Sequence, residues 1–348
     1  MFPMALSLVL ATHAAAPAPP SAGPSSSPVP IAGGTWQMDV SGALGAQALV
    51  WVGEDADLRQ GDLARTETVR LAQGFFEAGF RGPAGAFANF RVEEGVLGPA
   101  GLEAAEAWVG LSALKGRAGA WVGRNDLPVT RDRKRENDQL ALSWRPHLSR
   151  TLWPVHPTGA GAGLGIPGRA SLQGGASYAQ LNADAPLLWA RADLSPLGPV
   201  PARQGERVQG AAFALGGGLL RQSSPSRGET RFWTADAEVR VGPAEVSGAW
   251  LRHAERPGTP GERVRSEWIA SVGSTLLSTP NSALFLHLRG ERVVGLDPDG
   301  AARWLPGGRL GWRGAGDAVE VYGEGHLSFE EATARENGLA AAGMRVRW

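Results

Sequence analysis

Hydrophobic and polar positions alternate with a period of two over unusually long stretches of this chain. From Trp36 to Val52 the even positions are Trp, Met, Val, Gly, Leu, Ala, Ala, Val and Val. The odd positions from Gln37 to Gln47 are Gln, Asp, Ser, Ala, Gly and Gln. Side chains of a β-strand point alternately to two faces, and a globular strand has about five or six residues. The stretch therefore predicts a long strand with one apolar and one polar face.

The same alternation recurs along the chain, and its polar face is usually charged. Trp233 and its apolar neighbours alternate with Thr234, Asp236, Glu238 and Arg240, for example. We predict sixteen strands, near residues 36–52, 67–81, 86–93, 102–111, 117–123, 150–156, 169–181, 186–195, 206–221, 229–241, 244–254, 263–276, 282–293, 304–313, 318–329 and 337–348. For the sixth of these, residues 140–144 are an alternative. An even number of strands returns both termini to the same side.

The alternation of apolar and polar positions alone does not distinguish a soluble β-sandwich from a β-barrel around a water-filled lumen. The sequence has no run of about 20 apolar residues that would span a membrane as a helix. A closed barrel is the other structure that satisfies every backbone group in lipid. Many apolar faces here consist of Ala and Gly, which would form a thin protein core, whereas lipid fills any gap. We therefore predict an all-β fold, a transmembrane antiparallel β-barrel.

Both ends of the chain favour this interpretation. The apolar face of the last strand, Leu339 to Trp348, ends on the terminal aromatic, which resembles the insertion signal of bacterial outer-membrane barrels. Trp348 is thus a candidate assembly signal that the barrel-assembly machinery would recognise. Residues 1–14 resemble a secretory signal peptide with a short apolar run, although no Lys or Arg precedes it. The Pro-, Ala- and Ser-rich residues 15–34 predict a periplasmic tail, and residues 35–348 the barrel.

The connections between predicted strands alternate in length. Short turns are predicted at residues 82–85, 242–243 and 314–317, and longer polar loops at 53–66, 124–149, 222–228, 255–262, 294–303 and 330–336. Bacterial outer-membrane barrels have short periplasmic turns and longer extracellular loops. The pattern predicts periplasmic termini and a location in the bacterial outer membrane.

Composition excludes several other classes of protein. The 348 residues carry 34 basic and 34 acidic side chains, so no basic excess suggests a nucleic-acid partner. Without cysteine there is no disulfide framework and no thiolate metal site. The 49 glycines suit turns and bent strands, and Trp outnumbers Tyr by 13 to 2, which suits an interfacial girdle. We expect no cofactor and no metal.

Two segments resemble a known family. Residues 101–112 (GLEAAEAWVGLS), continued by 116–128 (GRAGAWVGRNDLP), and residues 185–201 (APLLWARADLSPLGPVP) are similar to strands of the phosphate-selective porins O and P. This resemblance rests on strand rhythm over most of residues 35–348 and implies a sixteen-stranded, trimeric outer-membrane channel. Residues 122–129 (VGRNDLPV) depart from the family's segment at this point. The family's phosphate-binding arginine ladder does not map onto numbered positions, so phosphate specificity is not carried over.

The loop after the fifth predicted strand contains a local excess of cations. Between residues 124 and 150 it has seven cations against four anions. The cations, which form the candidate constriction loop, are Arg124, Arg131, Arg133, Lys134, Arg135, Arg145 and Arg150. In sixteen-stranded porins the corresponding loop narrows the lumen, where basic side chains favour anions. The alternative is a solvated surface loop whose charges have no selective role, and the sequence leaves both open.

The polar faces of other strands supply further candidate lumen residues. They are Arg91, Glu93, Arg117, Asp236, Glu238, Arg240, His287, Arg289, Arg345 and Arg347. The function expected from this pattern is passive diffusion of small hydrophilic solutes, with a preference for small anions, through a porin embedded as a possible homotrimer in the lipid bilayer. One alternative is a sealed structural or assembly barrel, since lumen width depends on strand number.

A barrel-embedded hydrolase is a further alternative from another class. His253, His287 and His326 fall on predicted lumen faces near acidic residues, but acid-rich lumens produce such neighbours by chance. The sequence contains no Gly-x-Ser-x-Gly and no His-Glu-x-x-His motif. We therefore expect that the protein is not an enzyme and that it has no catalytic residues.

Overall fold

The computed structural model describes most of the chain beyond its N-terminal region. The described residues are 27–31, 34–52, 67–94, 102–130, 148, 157–178, 185–201, 204, 206–225, 228–295, 302–315, 318–330 and 336–348. The predicted signal peptide, residues 1–14, lies outside them. In the described residues, no helix has the length and apolar character needed to cross a membrane.

Long strands make up nearly all of the described chain. They are β1 Ser27–Ile31, β2 Gly34–Val52, β3 Glu67–Arg81, β4 Ala86–Glu94, β5 Leu102–Ala113, β6 Ala118–Arg124, β7 Thr158–Ile166, β8 Ala170–Tyr178, β9 Leu187–Leu194, β10 Ala211–Ser224, β11 Gly228–Val241, β12 Ala244–Glu255, β13 Arg263–Thr279, β14 Ser282–Val294, β15 Ala302–Trp304, β16 Gly307–Gly314, β17 Val319–Glu330 and β18 Glu336–Arg347.

These strands form one closed antiparallel barrel. From β2 onward each strand except β15 pairs with the next, and β18 pairs with β2 over Gly338↔Val52 to Arg347↔Ala43. β15 and β16 both pair with β14 and β17, so they occupy one position in the ring, interrupted before Gly307. The ring thus has sixteen positions, and the predicted fold class is confirmed. Every predicted strand except the sixth overlaps a strand of the structure.

Burial shows which face of the ring is turned to which environment. Large apolar side chains are exposed on the outside, for example Leu111 and Leu164, each 62 % exposed. Charged side chains on the alternate positions are buried inside, for example Glu238 at 0 % and Arg240 at 1 %. A soluble sandwich would have the reverse arrangement, whereas a membrane barrel turns its apolar face to lipid. The structure is therefore built as an outer-membrane barrel.

The two rims differ in their connections as expected. Short turns join β3 to β4, β5 to β6, β7 to β8, β11 to β12, β13 to β14 and β16 to β17. The chain leaves β18 at this same rim, here called the short-turn rim. Longer connections, including residues 53–66 and 125–157, lie at the other end, here called the long-loop rim. There are two exceptions. The connection from β9 to β10, residues 195–210, is long although it lies at the short-turn rim, and the connection from β10 to β11, residues 225–227, is short although it lies at the long-loop rim, where a longer loop was predicted.

Three parts of the predicted strand pattern differ from the structure. The sixth strand is β7, residues 158–166, whereas the predicted residues 150–156 lie outside the described part of the chain. Sequence alternation missed β7 because TGAGAGLGI consists mostly of small residues with no polar face. The predicted strand 304–313 is divided around Pro306, which has no N–H to donate. Within the predicted tail, β1 pairs with the start of β2.

The closing seam between β18 and β2 ends in the terminal tryptophan. The backbone N–H of Trp348 donates to the carbonyl oxygen of Gly42, and that of Gly42 donates to Trp348, both at 3.1 Å. The Trp348 ring lies over Gly42, where an added Cβ would meet ring atom Cζ2 at 2.5 Å. Trp348 is 56 % exposed on the outward face. It therefore extends the last hydrogen-bonded pair of the barrel and covers it with an aromatic ring.

We predict that Trp348→Ala reduces the amount of closed barrel. The change removes the ring that covers the last backbone pair of the seam, at a cost of up to a few kcal/mol. The measurement is the fraction of membrane-inserted protein that migrates faster on an unboiled than on a boiled gel.

The matched control is Trp312→Ala. Trp312 on β16 is also exposed on the outward face, and its ring lies over Gly314, but it is not at the seam. If the two variants insert equally well, the terminal aromatic has no special part in assembly.

Candidate functional site

The inward faces of the strands form a lumen lined by charged side chains. Most predicted lumen residues have buried side chains on these faces, namely Arg91, Asp236, Glu238, Arg240, His287 and Arg345, and Arg289 and Arg347 are only slightly exposed there. Glu93 belongs to β4, but its side chain is outside the described part of the structure. Arg117 differs from the expectation: it lies in the turn before β6 with right-handed helical φ/ψ and is exposed.

The predicted constriction loop begins where β6 ends, at Arg124. Arg131, Arg133, Lys134, Arg135, Arg145 and Arg150 lie outside the described residues. Both described parts of the loop, residues 125–130 and Leu148, are in the barrel interior, and Leu127, Val129 and Leu148 are all 0 % exposed. Of the two alternatives for this loop, the geometry of these parts favours the one in which the loop enters the lumen.

A buried arginine holds the first part of the loop. Arg191 on β9 donates from Nη1 to the Val129 carbonyl oxygen at 2.7 Å, and Thr234 on β11 donates to the same oxygen at 2.7 Å. The Arg191 guanidinium also forms ion pairs with Asp193 and Asp236, each at 2.7 Å. Such charge-assisted hydrogen bonds are stronger and more directional than neutral ones. The loop backbone is therefore fixed to β9 and β11 by one carbonyl group.

The second part of the loop is held at a distant strand. The backbone N–H of Leu148 donates to Glu267 Oε2 on β13 at 3.0 Å. The loop leaves the wall at β6, and β13 lies seven positions further round the ring. These attachments place the described parts of the loop against the inner faces of β9, β11 and β13.

Apolar contacts add to these hydrogen bonds. Leu127, Val129 and Leu148 belong to one buried apolar cluster with inward-facing side chains of the surrounding strands. These strand residues include Trp121, Leu187, Trp189, Leu220, Phe232, Leu251, Ile269 and Val293. Full burial of a Val or Leu side chain contributes about 1.5–3 kcal/mol. Three such anchors therefore stabilise the inward position of the loop in addition to its hydrogen bonds.

Gly218 on β10 makes room for the loop. A Cβ at this position would lie 2.3 Å from the Val129 carbonyl oxygen and 2.8 Å from Thr234 Oγ1. Any larger residue would push the loop away from β10 and β11. The close approach thus needs glycine at this strand position.

The half of the lumen nearer the short-turn rim is charged. Arg240 on β11 pairs with Glu238 at 2.7 Å and with Glu245 on β12 at 3.2 Å. It also donates from Nη1 to the Glu206 carbonyl oxygen at 3.3 Å. Arg313 on β16 donates to the Gln204 carbonyl oxygen at 2.9 Å. The connection 195–210 is therefore bound to lumen arginines, and the interior receives chain segments from both rims.

An arginine cluster lies on β16, β17 and β18. Arg309, Arg313, Arg345 and Arg347 surround Glu320, with nitrogen to carboxylate oxygen distances of 3.1, 3.3, 3.8 and 2.9 Å. A second carboxylate, that of Glu324, contacts Arg309. Four guanidinium groups against two carboxylates leave this part of the wall positive. We call these six residues the arginine cluster.

The inward-facing histidines lie next to carboxylates. His287 Nδ1 is 4.0 Å from Glu245, His253 Nδ1 is 3.9 Å from Glu255, and His326 contacts Glu324. Within the residues that the structure describes, no group of three or more His, Asp or Glu side chains is arranged to hold a metal ion. The expectations of no enzyme, no cofactor and no metal stay predictions.

Sequence reasoning missed several residues that organise the lumen. Arg191, Thr234 and Gly218 were not among its candidates, although Arg191 lies on an alternating strand that was predicted correctly. The sequence did contain one signal of this site. One cation, Arg191, and two acids, Asp193 and Asp236, lie on the polar faces of predicted strands. Their convergence on Val129 depends on strand register, which alternation does not specify.

Comparison with known proteins shows the fold. No protein-family model and no curated protein matches the chain. The anion-selective porin from Comamonas acidovorans is similar in structure, with a TM-score of 0.64, 10% identity, and coverage of 90% of this chain and 100% of that chain. The outer membrane channel DcaP of Acinetobacter baumannii has a TM-score of 0.62, 9% identity, and coverage of 94% and 100%.

A third similar structure is the trimer form of OmpT, an outer membrane protein of Vibrio cholerae. It has a TM-score of 0.60 and 13% identity, and covers 90% of this chain and 99% of that chain. All three are outer-membrane or porin barrels, so the chain has the fold of bacterial outer-membrane porins. The finer resemblance to phosphate-selective porins stays a prediction.

We predict that Arg191→Met releases the loop. The change leaves Asp193 and Asp236 without their cation and removes one donor from Val129, and breaking a buried ion pair on one side costs about 3–5 kcal/mol. Trypsin should cut the variant faster in the basic segment 131–135, and its single-channel current should be noisier.

Arg240→Met is the matched control, because it also removes a buried arginine from two carboxylates. The Arg240 side chain contacts the connection 195–210 and not Val129. Equal cleavage of the two variants would contradict a specific attachment of the loop by Arg191.

Proposed function

We propose that this protein is an outer-membrane porin for passive diffusion of small hydrophilic solutes. The observation that carries the proposal is the infolded loop, held at β9, β11 and β13 within a ring of sixteen strand positions. A ring of this size encloses a lumen wide enough for water, and a loop held inside it narrows the passage. The charged inward faces suit a wet interior and polar solutes.

We further propose that the channel prefers small anions and that the loop cations determine this preference. In the described strands, inward-facing carboxylates and guanidinium groups occur in nearly equal numbers, so the wall by itself has little overall preference. The loop adds an excess of three positive charges between residues 124 and 150. The arginine cluster supplies a second positive region along the same interior.

A sealed structural or assembly barrel is the second candidate. It is favoured by the buried apolar cluster around Leu127, Val129 and Leu148, which fills part of the lumen near the long-loop rim. Current recording in planar bilayers distinguishes the two, because a sealed barrel gives no discrete steps at any salt concentration.

The assembly proposed for the protein is a homotrimer inserted by the barrel-assembly machinery. The trimer form of OmpT, which has a similar fold, supports this proposal. Cross-linking of the membrane-inserted protein tests it, and a single monomer band would contradict it.

We predict that changing Arg131, Arg133, Lys134 and Arg135 together to Gln abolishes the anion preference. Because the walls are near charge balance, the reversal potential in a salt gradient should move to that of a channel with no preference or a weak cation preference. The shift should be larger at about 0.01 M salt, where the Debye length is about 30 Å, than at about 1 M, where it is about 3 Å.

The matched control removes four exposed arginines outside the lumen, Arg117, Arg169, Arg252 and Arg256, again by change to Gln. It alters the net charge equally and should leave the reversal potential unchanged. A cation-selective wild-type channel, or the same shift in both variants, would show that the loop cations do not determine selectivity.

A further inference from the structure

Outward-facing Trp and Arg side chains lie next to one another on β11 to β15. Trp250 on β12, Trp268 on β13, Arg292 on β14 and Trp304 on β15 occupy one continuous row, because each is the register partner of the next. Arg252 on β12 lies two residues nearer the long-loop rim than Trp250, and it is the register partner of Trp233 on β11. Strand alternation turns all six side chains away from the lumen. We call them the Trp–Arg belt.

The side chains of the belt contact one another. The Arg252 guanidinium lies 5.8 Å from the Trp233 ring centroid, and that of Arg292 lies 5.6 Å from Trp304. The rings of Trp250 and Trp268 are 6.2 Å apart. Trp268 is 58 % exposed, and Arg252 is exposed and has no ion pair with any described carboxylate. Both arginines are thus supported by aromatic rings on the outer surface.

The height of the belt corresponds to a membrane interface. Below it, toward the short-turn rim, the outward positions of the same strands are apolar, as at Val239, Val246, Val272 and Leu288. An outward arginine is costly at the bilayer midplane and costs little near an interface. Trp is enriched at the level of lipid headgroups. The belt therefore lies where the acyl chains end and the headgroups begin.

The belt lies on the sector of the barrel formed by β11 to β15. At the same rim, the outward positions on β7, β8 and β9 are Thr158, Tyr178 and Leu188, which carry no cation. A general interfacial girdle needs aromatic side chains on all sides but no paired arginines. Two arginines, one within the row of Trp rings and one beside Trp233, indicate recognition of an anion at this sector.

We propose that the Trp–Arg belt binds the phosphate-bearing headgroup of a lipid in the leaflet on the long-loop side. Guanidinium groups bind phosphate oxygens through paired N–H donors, and Trp rings contact the adjoining acyl and glycerol or sugar region. The site requires insertion in a membrane but no channel activity, so it is independent of the proposed function.

The experiment uses the full chain reconstituted in phosphatidylcholine vesicles with brominated phosphatidic acid or, at equal fraction, brominated phosphatidylcholine. Bromine quenches nearby Trp fluorescence, and the ratio of the two quenching constants measures preference for the phosphate headgroup. Wild-type protein should prefer phosphatidic acid. Arg252→Gln with Arg292→Gln should reduce that preference at least about tenfold, because both charge-assisted contacts to the phosphate are lost.

Two further variants make the result specific. Arg117→Gln with Arg169→Gln removes two exposed arginines at the short-turn rim and should leave the preference unchanged. Arg252→Lys with Arg292→Lys keeps the charge but loses the paired donors and should retain only part of the preference. Faster migration on unboiled gels verifies that each variant forms the barrel.

Three outcomes would overturn the proposal. They are an unchanged preference in the Gln double variant, an equal loss in the short-turn-rim variant, and a change of oligomer size without a change of lipid preference. The last would make the belt a contact with a second copy of the chain. Loss of headgroup preference with unaltered conductance and reversal potential would support the belt and leave the channel proposal untouched.

Discussion

The closed ring of backbone hydrogen bonds is the constraint on which the whole structure depends. Lipid offers no partner to a free N–H or C=O, so every strand that faces it must be paired on both sides. The pairing of β18 with β2 closes the ring, and Trp348 extends it by its two bonds to Gly42. Once the ring is closed, alternation assigns each side chain to lipid or to the interior.

The interior shows how a barrel of this size accommodates many buried charges. Each of the buried guanidinium groups of Arg191, Arg240 and Arg309 contacts two carboxylates. Such pairs offset the cost of removing charges from water only when their geometry is good and further hydrogen bonds are made. Arg191 and Arg240 also bind carbonyl groups of infolded connections. The lumen charges therefore serve two purposes, because they line the interior and they fix the chain segments within it.

The proposed channel and the proposed lipid site use opposite faces of the same strands. On β12 the inward Glu245 pairs with Arg240, while the outward Arg252 lies beside Trp233. A charge inside is compensated by neighbouring side chains, whereas a charge outside is tolerated only at the interface. A period of two thus permits two recognition surfaces to exist on one sheet without sharing a residue.

Alternation, the terminal aromatic and the absence of an apolar helix were enough to predict a barrel of sixteen strands, because period two depends only on local sequence. They were not enough to locate β7, whose TGAGAGLGI has no polar face, nor the inward course of connection 195–210. Register was equally beyond reach: Arg191, Thr234 and Gly218 lie far apart in sequence and converge on Val129 only in the closed ring. The sequence by itself determined which residues share a face of each strand. Only the tertiary structure decided which faces meet across the lumen and where the loop is held, because those contacts depend on strand register and closure.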